Sequence, residues 1–541
     1  MLESLEMKSF FKKAFTDKTV LLIFKITFQM KFFTILIFSF LSVFQILAQD
    51  PNKIQFSAAS LKGVVENGVK HNLFTSANGK RVILTQGKTQ VFCDEAKENT
   101  VTKDVVATGN IIIKDKKMTI KGDKLYFYKA KGEVEIKGIG RKVVMEDGDM
   151  KLVTDVLYYN MSTKNARYVT GGVVTQKSMK LTSLKGYLYN NKNMVAFKTR
   201  VVMDDTVKNQ HLETDTLTYF TDTKIAKFHK RTKITTKEGE LEANEGEFDN
   251  NSNTSHMIGN AIVMNKDYYM TCEEIINTKN ENTIAKKQVR LTSLRDKVTI
   301  FADEVQYKQT AHNTKAYGNA LMQKPLGKGD TLFLVADTLY SKHDSLKKET
   351  TLFAYHQVKI HSVQMQAKCD SLVYQYSDSV IHFYKDPILW SAGSQMTATK
   401  IKATLINNSI DKLHLEENAF ILSLDSLNNF NQIKGNKLIA NFEKGQLKTV
   451  NVDGSGQTIY YALTDDKKAL IGVNKILCAK MTMFFVEKNQ LSDMSFDGEP
   501  DSKFIPPHEI KEPEVRLSGF KNRFNEIPVK EVIVSVRNKS S

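Results

Sequence analysis

One carboxylate recurs along this 541-residue chain. Its column reads Asp94, Asp123, Asp155, Leu184, Asp215, Asn244, Glu273, Asp303, Asp337, Asp370, Thr399, Asn436 and Asn474, at intervals of 29 to 38 residues. Carboxylates can act as general acid and base on a polysaccharide, but that chemistry needs two of them clustered on one turn beside a shape-matched cleft. Here they arrive one per repeat. Asp123, Asp155, Asp215, Asp303, Asp337 and Asp370 are therefore expected to form structural corners, not a row of catalysts. The remaining reactive side chains are sparse. Cys93, Cys272, Cys369 and Cys478 have no metal-ligand spacing, and neither His356 with His361 nor His508 with Glu509 has a third ligand nearby in sequence. The chain lacks His-Glu-x-x-His, Gly-x-Ser-x-Gly and a phosphate-cradling loop, and Gly454-Ser-Gly456 reads as a turn. The expectation is a non-enzymatic protein with no catalytic residue, no metal and no cofactor.

The elements that hold this column in place read as strands. Three residues before the Asp stands an apolar side chain, as at Ile120, Leu152, Leu212, Ile300 and Leu334; one residue before it stands a small one, as at Cys93, Thr154, Cys272, Ala302, Ala336 and Cys369. Three of the four cysteines thus fill a slot that wants a compact buried side chain. After the Asp, apolar residues return at the second position and often an aromatic at the fourth, as in Leu157 with Tyr159 and Leu217 with Tyr219. Alternation of period two is the mark of a half-buried strand. The buried parity nevertheless switches across the Asp, which a strand can do only through a bulge or corner. A looser second strand follows in each unit, as at Ala166-Arg-Tyr168 and Ala226-Lys-Phe228. Gly109-Asn110, Gly259-Asn260 and Gly318-Asn319 are expected at turns needing positive φ, and Asn190 to Lys192, Asp222 to Lys224 and Asn250 to Ser252 at hairpin tips. A repeat of this length denotes one serial architecture instead of unrelated domains.

The ends differ from the array. Met30-Lys31 followed by the apolar run Phe32 to Ala48 reads as a secretory signal peptide within 1–49, ahead of the alternative of a retained anchor, for which the run is short, with Met30 as a candidate true start. Without residues 1–48 the formal charge falls from +17 to +14 (71 basic, 57 acidic), so the exported part stays basic. Such a surface suits an anionic membrane or glycolipid, with a merely solvated face as the alternative, and export argues against nucleic acid. Between Asn52 and Glu499 the only prolines are Pro325 and Pro387, whereas five crowd the tail from Pro500 to Pro528. A long ladder excludes proline. Residues 50–499 are therefore expected to form the array, and 500–541 an irregular, Pro-rich C-terminal segment.

The serial motif of apolar residue, Thr or Ala, Asp, any residue, Leu, any residue and Tyr, with its Ala-x-Tyr/Phe and Gly-Asn steps, resembles the OstA-like family. The likeness is most specific from Ala107-Thr-Gly-Asn110 through Tyr126 to Tyr219, and Phe504-Ile-Pro-Pro507 with Leu517-Ser-Gly-Phe520 resembles that family's closing motif. The resemblance implies an all-β fold, an elongated open β-jellyroll, V-shaped, with two antiparallel sheets built from about thirteen degenerate repeats of roughly thirty residues. It also implies an apolar groove for acyl chains, for which Leu125, Leu157, Leu217, Val305, Leu339 and Leu372 are the candidates. The same side chains could instead fill a dry, closed core. With strands about 4.8 Å apart and roughly twenty strands per sheet, the array would be on the order of 100 Å long. The implied function is a periplasmic lipid-binding bridge that carries lipopolysaccharide, or a related glycolipid, toward the outer membrane. Its implied partners are envelope lipid-transport proteins at the inner and outer membranes, with edge strands available for homo- or hetero-association, and its implied place is the periplasm, peripheral to the outer membrane. An exported structural or adhesive scaffold without lipid cargo is the alternative.

Overall fold

The computed structural model describes residues 53–538 except 250, 253, 279–281, 295–296, 309, 312, 328, 345–348, 376, 392, 407–408, 444–445 and 487–489. The signal-peptide expectation lies outside the described residues. The rest is an all-β protein made of antiparallel strands, with one α-helix, Lys530–Asn538, among the described residues. No described helix is long and apolar enough to cross a membrane. The chain packs as two compact units. One runs up to Val263 with Ile276–Lys279, and the other comprises Met264–Ile275 and the chain from Asn280 on.

The hairpin Val105–Asp115 with Met118–Tyr128 shows how the repeat folds in the N-terminal unit. Along the second strand Ile120 and Gly122 are buried, then Leu125 and Phe127, so the inward parity switches across Asp123. The pairing Thr108 with Lys124 and Ile111 with Gly122 leaves Gly109 and Asn110 together opposite the single Asp123. Two residues facing one is a β-bulge, and both adopt left-handed backbone, at φ +79° and +43°. The strand thereby bends without ending. Gly109-Asn110, expected at a turn, lies instead in the middle of a strand. The same left-handed pair opposite one residue recurs at Thr199-Arg200 facing Asp215, Gly318-Asn319 facing Asp337 and His356-Gln357 facing Asp370. True hairpin ends occur at Asn190–Lys192 and around Asp222, as expected; of the third expected tip, Asn250 lies outside the described residues.

Because every repeat bends at this line, each unit consists of two ladders that share it. A leading ladder holds the strand segments before the Asp column, such as Thr89–Cys93 and Met150–Thr154. A trailing ladder holds those after it, such as Glu133–Lys137 and Val156–Asn160. Their apolar faces meet: Tyr168 of the trailing ladder occupies the space a Cβ would need at Gly172 of the leading one, 2.6 Å from its ring. In the C-terminal unit strands such as Asp330–Asp344, Ser409–Leu424 and Leu470–Val486 run unbroken through the corner.

The segment 500–541, expected to be irregular, holds a strand, Asp501–Ile505, paired with Leu477 to Val473, then short 3-10 turns and the helix. That strand extends the leading ladder of the C-terminal unit, and the described residues after it, up to 538, pack on the ladder's outward side. Val515 and Leu517 cover Phe420, Leu422, Ile459, Val473 and its strand neighbour Ile505, and Ile533 covers Leu321, Phe333 and Val335. The reason is that this ladder is apolar on both faces there, so it needs a third layer. Two glutamines hold the layer. The Gln432 amide donates to Val515 O (2.9 Å) and accepts from Leu517 N (2.8 Å); Gln395 does the same with Lys521 O (2.8 Å) and Arg523 N (2.7 Å).

Candidate functional site

The candidate groove residues fall into cross-strand rows on the trailing ladder. In the N-terminal unit Leu125 neighbours Ala107 and Ile136, and Ile136 neighbours Leu157. Further along, Tyr168, Gly186, Phe197 and Leu217 follow in register. In the C-terminal unit one row runs Ala285, Val305, Ala316, Leu339, Ala354, Leu372, Phe383, Ile401, Leu415, Leu438, Val452 and Met481 across successive strands. Every member of that row is buried. Each unit therefore contains a continuous apolar seam between its ladders, with a second buried row beside the first, as in Phe127, Val134 and Tyr159.

The seam is narrow. All six candidates are at most 7% exposed. In the N-terminal unit a cavity of about 40 Å³ remains among Met145, Leu152, Leu157, Val174, Val195 and Phe197, and one of about 20 Å³ beside Leu181, Leu217 and Tyr219. Each exceeds the room one water needs, but its lining is hydrocarbon. An acyl chain fits only if the ladders part at their free hairpin ends.

At those ends the N-terminal unit has a polar tie. The Asp115 carboxylate, on the leading ladder, accepts hydrogen bonds from Thr89 Oγ1 (2.6 Å) and from Tyr159 (2.9 Å) and pairs with Lys164 (2.5 Å), the last two belonging to the trailing ladder. Burial pushes its pKa up, but the hydrogen bonds from Lys164, Thr89 and Tyr159 outweigh that, and it lies below the ordinary carboxylate value. No sequence motif marks this cluster, whose members are 26 to 49 residues from Asp115.

The carboxylate column stays at the bends. Asp123 accepts from Ile139 N and Arg141 Nε, both at 2.7 Å. Asp155 pairs with Lys142, and Asp215 accepts from Arg200 N (3.4 Å). Asp303 lies against Gly318, where a Cβ would come within 2.2 Å of its Oδ2. Asp337 faces the Gly318-Asn319 bulge. Asp370 takes hydrogen bonds from Ser371 (2.7 Å) and Lys385 (3.2 Å), which hold its carboxyl down at about 2. Successive column members sit two strands apart, roughly 10 Å, about twice the separation of the carboxyl pair in a retaining glycosidase. The small column is equally crowded: a Cβ on Gly122 would meet Ile136 at 2.5 Å. Cys93, Cys272 and Cys369 are free and buried there, and burial pushes each thiol up to about 12. Among the described residues no group of three or more His, Cys, Asp or Glu could hold a metal ion.

Fold and seam together define a repeat-built β protein in each of whose units two ladders enclose an apolar line. Residues 74–206 match the model of the OstA-like protein family; this is the stretch that carries Asp94, Asp123, Asp155, Leu125 and Leu157. No curated protein matches the chain.

Proposed function

We propose that this protein binds lipid by its acyl chains in the apolar seam and passes lipopolysaccharide, or a related glycolipid, through the periplasm toward the outer membrane. The observation that carries the proposal is the unbroken row of buried apolar side chains from Ala285 to Met481, which offers a hydrocarbon chain the same surroundings at every strand. Each methylene withdrawn from water contributes ~0.8 kcal/mol, so a single acyl chain supplies several kcal/mol toward separating the ladders. The Asp column serves the bends and the seam serves the cargo. Envelope lipid-transport proteins at the two membranes are the expected partners.

The narrowness of the cavities favours a second reading, an exported scaffold with a closed core. Mass spectrometry of lipids co-purifying with the protein from a Gram-negative envelope distinguishes them. The transport reading expects lipopolysaccharide enriched over bulk phospholipid. Protein free of glycolipid, or carrying envelope lipids in their bulk proportions, supports the scaffold.

A further inference from the structure

The trailing ladder of the N-terminal unit has a second face, turned away from the seam, where rings and cations alternate. Register places Tyr126, Glu135, Tyr158, Arg167 and Tyr187 side by side on five successive strands. The three tyrosines therefore recur at two strand spacings, roughly 10 Å, the scale on which alternate sugars of an extended chain repeat. Each ring has its own cation. Lys124 and Lys137 Nζ lie 4.9 and 5.2 Å from the Tyr126 centroid, Arg167 stands 4.0 Å over Tyr158, and Lys198 stands 5.7 Å over Tyr187. Glu135 fixes the platform from within: it accepts from the hydroxyls of Tyr128 (2.8 Å) and Tyr158 (3.4 Å) and pairs with Lys137 (2.9 Å).

Cross-strand aromatic pairs stabilise a sheet, but that role does not need each π face to be covered by a long, displaceable cation. Flat rings suit the C–H face of a pyranose, and the cations suit carboxylate or phosphate groups on it. Glu133, two residues before Glu135 on the same strand, pairs with Arg167 (2.9 Å) as Glu135 does with Lys137, so Lys124 and Lys198 give the row an excess of two positive charges. We propose that this face binds an anionic oligosaccharide, with alternate sugars stacked on Tyr126, Tyr158 and Tyr187 and their acidic groups paired to the lysines and Arg167. Single-stranded nucleic acid also combines ring stacking with cations, but Glu133 and Glu135 oppose a polyphosphate backbone while accepting sugar hydroxyls. The inference goes beyond the lipid reading and does not depend on it, since the face lies outside the seam.

Calorimetric titration of the full exported chain with oligogalacturonate tests it, alongside neutral maltohexaose, polyglutamate and oligo-dT. The expected result is saturable binding of oligogalacturonate, weakened at least tenfold in Tyr158→Ala and in Tyr187→Ala and retained in Tyr158→Phe, which keeps the ring. Unchanged melting temperatures check that the variants fold, and Arg167→Gln, which leaves the rings in place, is expected to lose several-fold. The proposal is overturned if oligogalacturonate fails to bind, if polyglutamate or oligo-dT binds as well, or if the folded variants bind like the parent.

Discussion

Gly109→Ala tests the corner that bends every repeat. The residue has φ +79°, and a Cβ there would lie 2.4 Å from Asp94 Oδ2 and 2.8 Å from Asp94 Cβ. Left-handed backbone costs an L-residue about 1–2 kcal/mol. Contacts that short force Asp94 to move, which costs about 1–3 kcal/mol more and breaks its hydrogen bond from Asn110 (3.1 Å). The expected loss is ~2–5 kcal/mol, the sum of those two costs. Asp94→Gly removes the clashing atoms, so when it is combined with Gly109→Ala only the left-handed backbone cost of the new alanine should persist, and the two changes should couple by about 1–3 kcal/mol. Hydrogen exchange of peptides spanning 89–128, followed through urea unfolding, reads this bend separately from the C-terminal unit. A Gly109→Ala loss under about 0.5 kcal/mol, or simple additivity in the double variant, would refute the reasoning.

Three further outcomes are expected. The Asp115 carboxyl titrates lower folded than unfolded, so its tie is intact above the unfolded value of about 4 and is lost as pH falls through the folded one. Hydrogen exchange at the tips near 89, 115 and 159–164 should therefore rise more steeply below about pH 4 in the parent than in Asp115→Asn, and equal slopes would dismiss the tie. With thiols raised to about 12 by burial, Cys93, Cys272 and Cys369 should resist alkylation at about pH 8 until denaturant is added; prompt labelling of the folded protein would show the small column misplaced. Leu517→Ala should destabilise the C-terminal unit by ~2–5 kcal/mol and increase binding of an apolar dye, whereas a change within about 0.5 kcal/mol would mean the tail is not a packed layer.

Much of the repeat was legible in the chain because a strand has a strict period. The shift from Ile120 and Gly122 to Leu125 and Phe127 requires a bulge at Asp123 whatever the tertiary structure. What Gly109-Asn110 does was not legible, because a hairpin turn and a mid-strand bulge both ask for left-handed backbone. Nor was the narrowness of the seam, which depends on how far side chains such as Phe197 and Tyr168 reach across to the other ladder. The irregularity expected of the tail came from its prolines, and the resemblance of Phe504 to Pro507 and Leu517 to Phe520 to a closing motif said nothing of packing. The signal for its packing lay elsewhere, in Phe333-Leu-Val-Ala336, Ile388-Leu-Trp390 and Phe420-Ile-Leu422, where unbroken apolar runs replace alternation and announce strands buried on both faces. Gln395 and Gln432 carried no such mark, since a glutamine that serves as a strand partner is recognised only by what it meets.

Photo-crosslinking side chains placed in turn at Leu217, Leu339, Thr216 and Thr338 show whether acyl chains run along the seam. Leu217 and Leu339 are 4% exposed and point into the seam of their respective units, while Thr216 and Thr338 precede them and point the other way. Melting curves exclude variants that fail to fold. Acyl chains lying in the seam give lipopolysaccharide adducts at Leu217 and Leu339, with little at either threonine. Absence of adducts at both leucines in folded protein, or equal capture at Thr216 and Thr338, would contradict that placement.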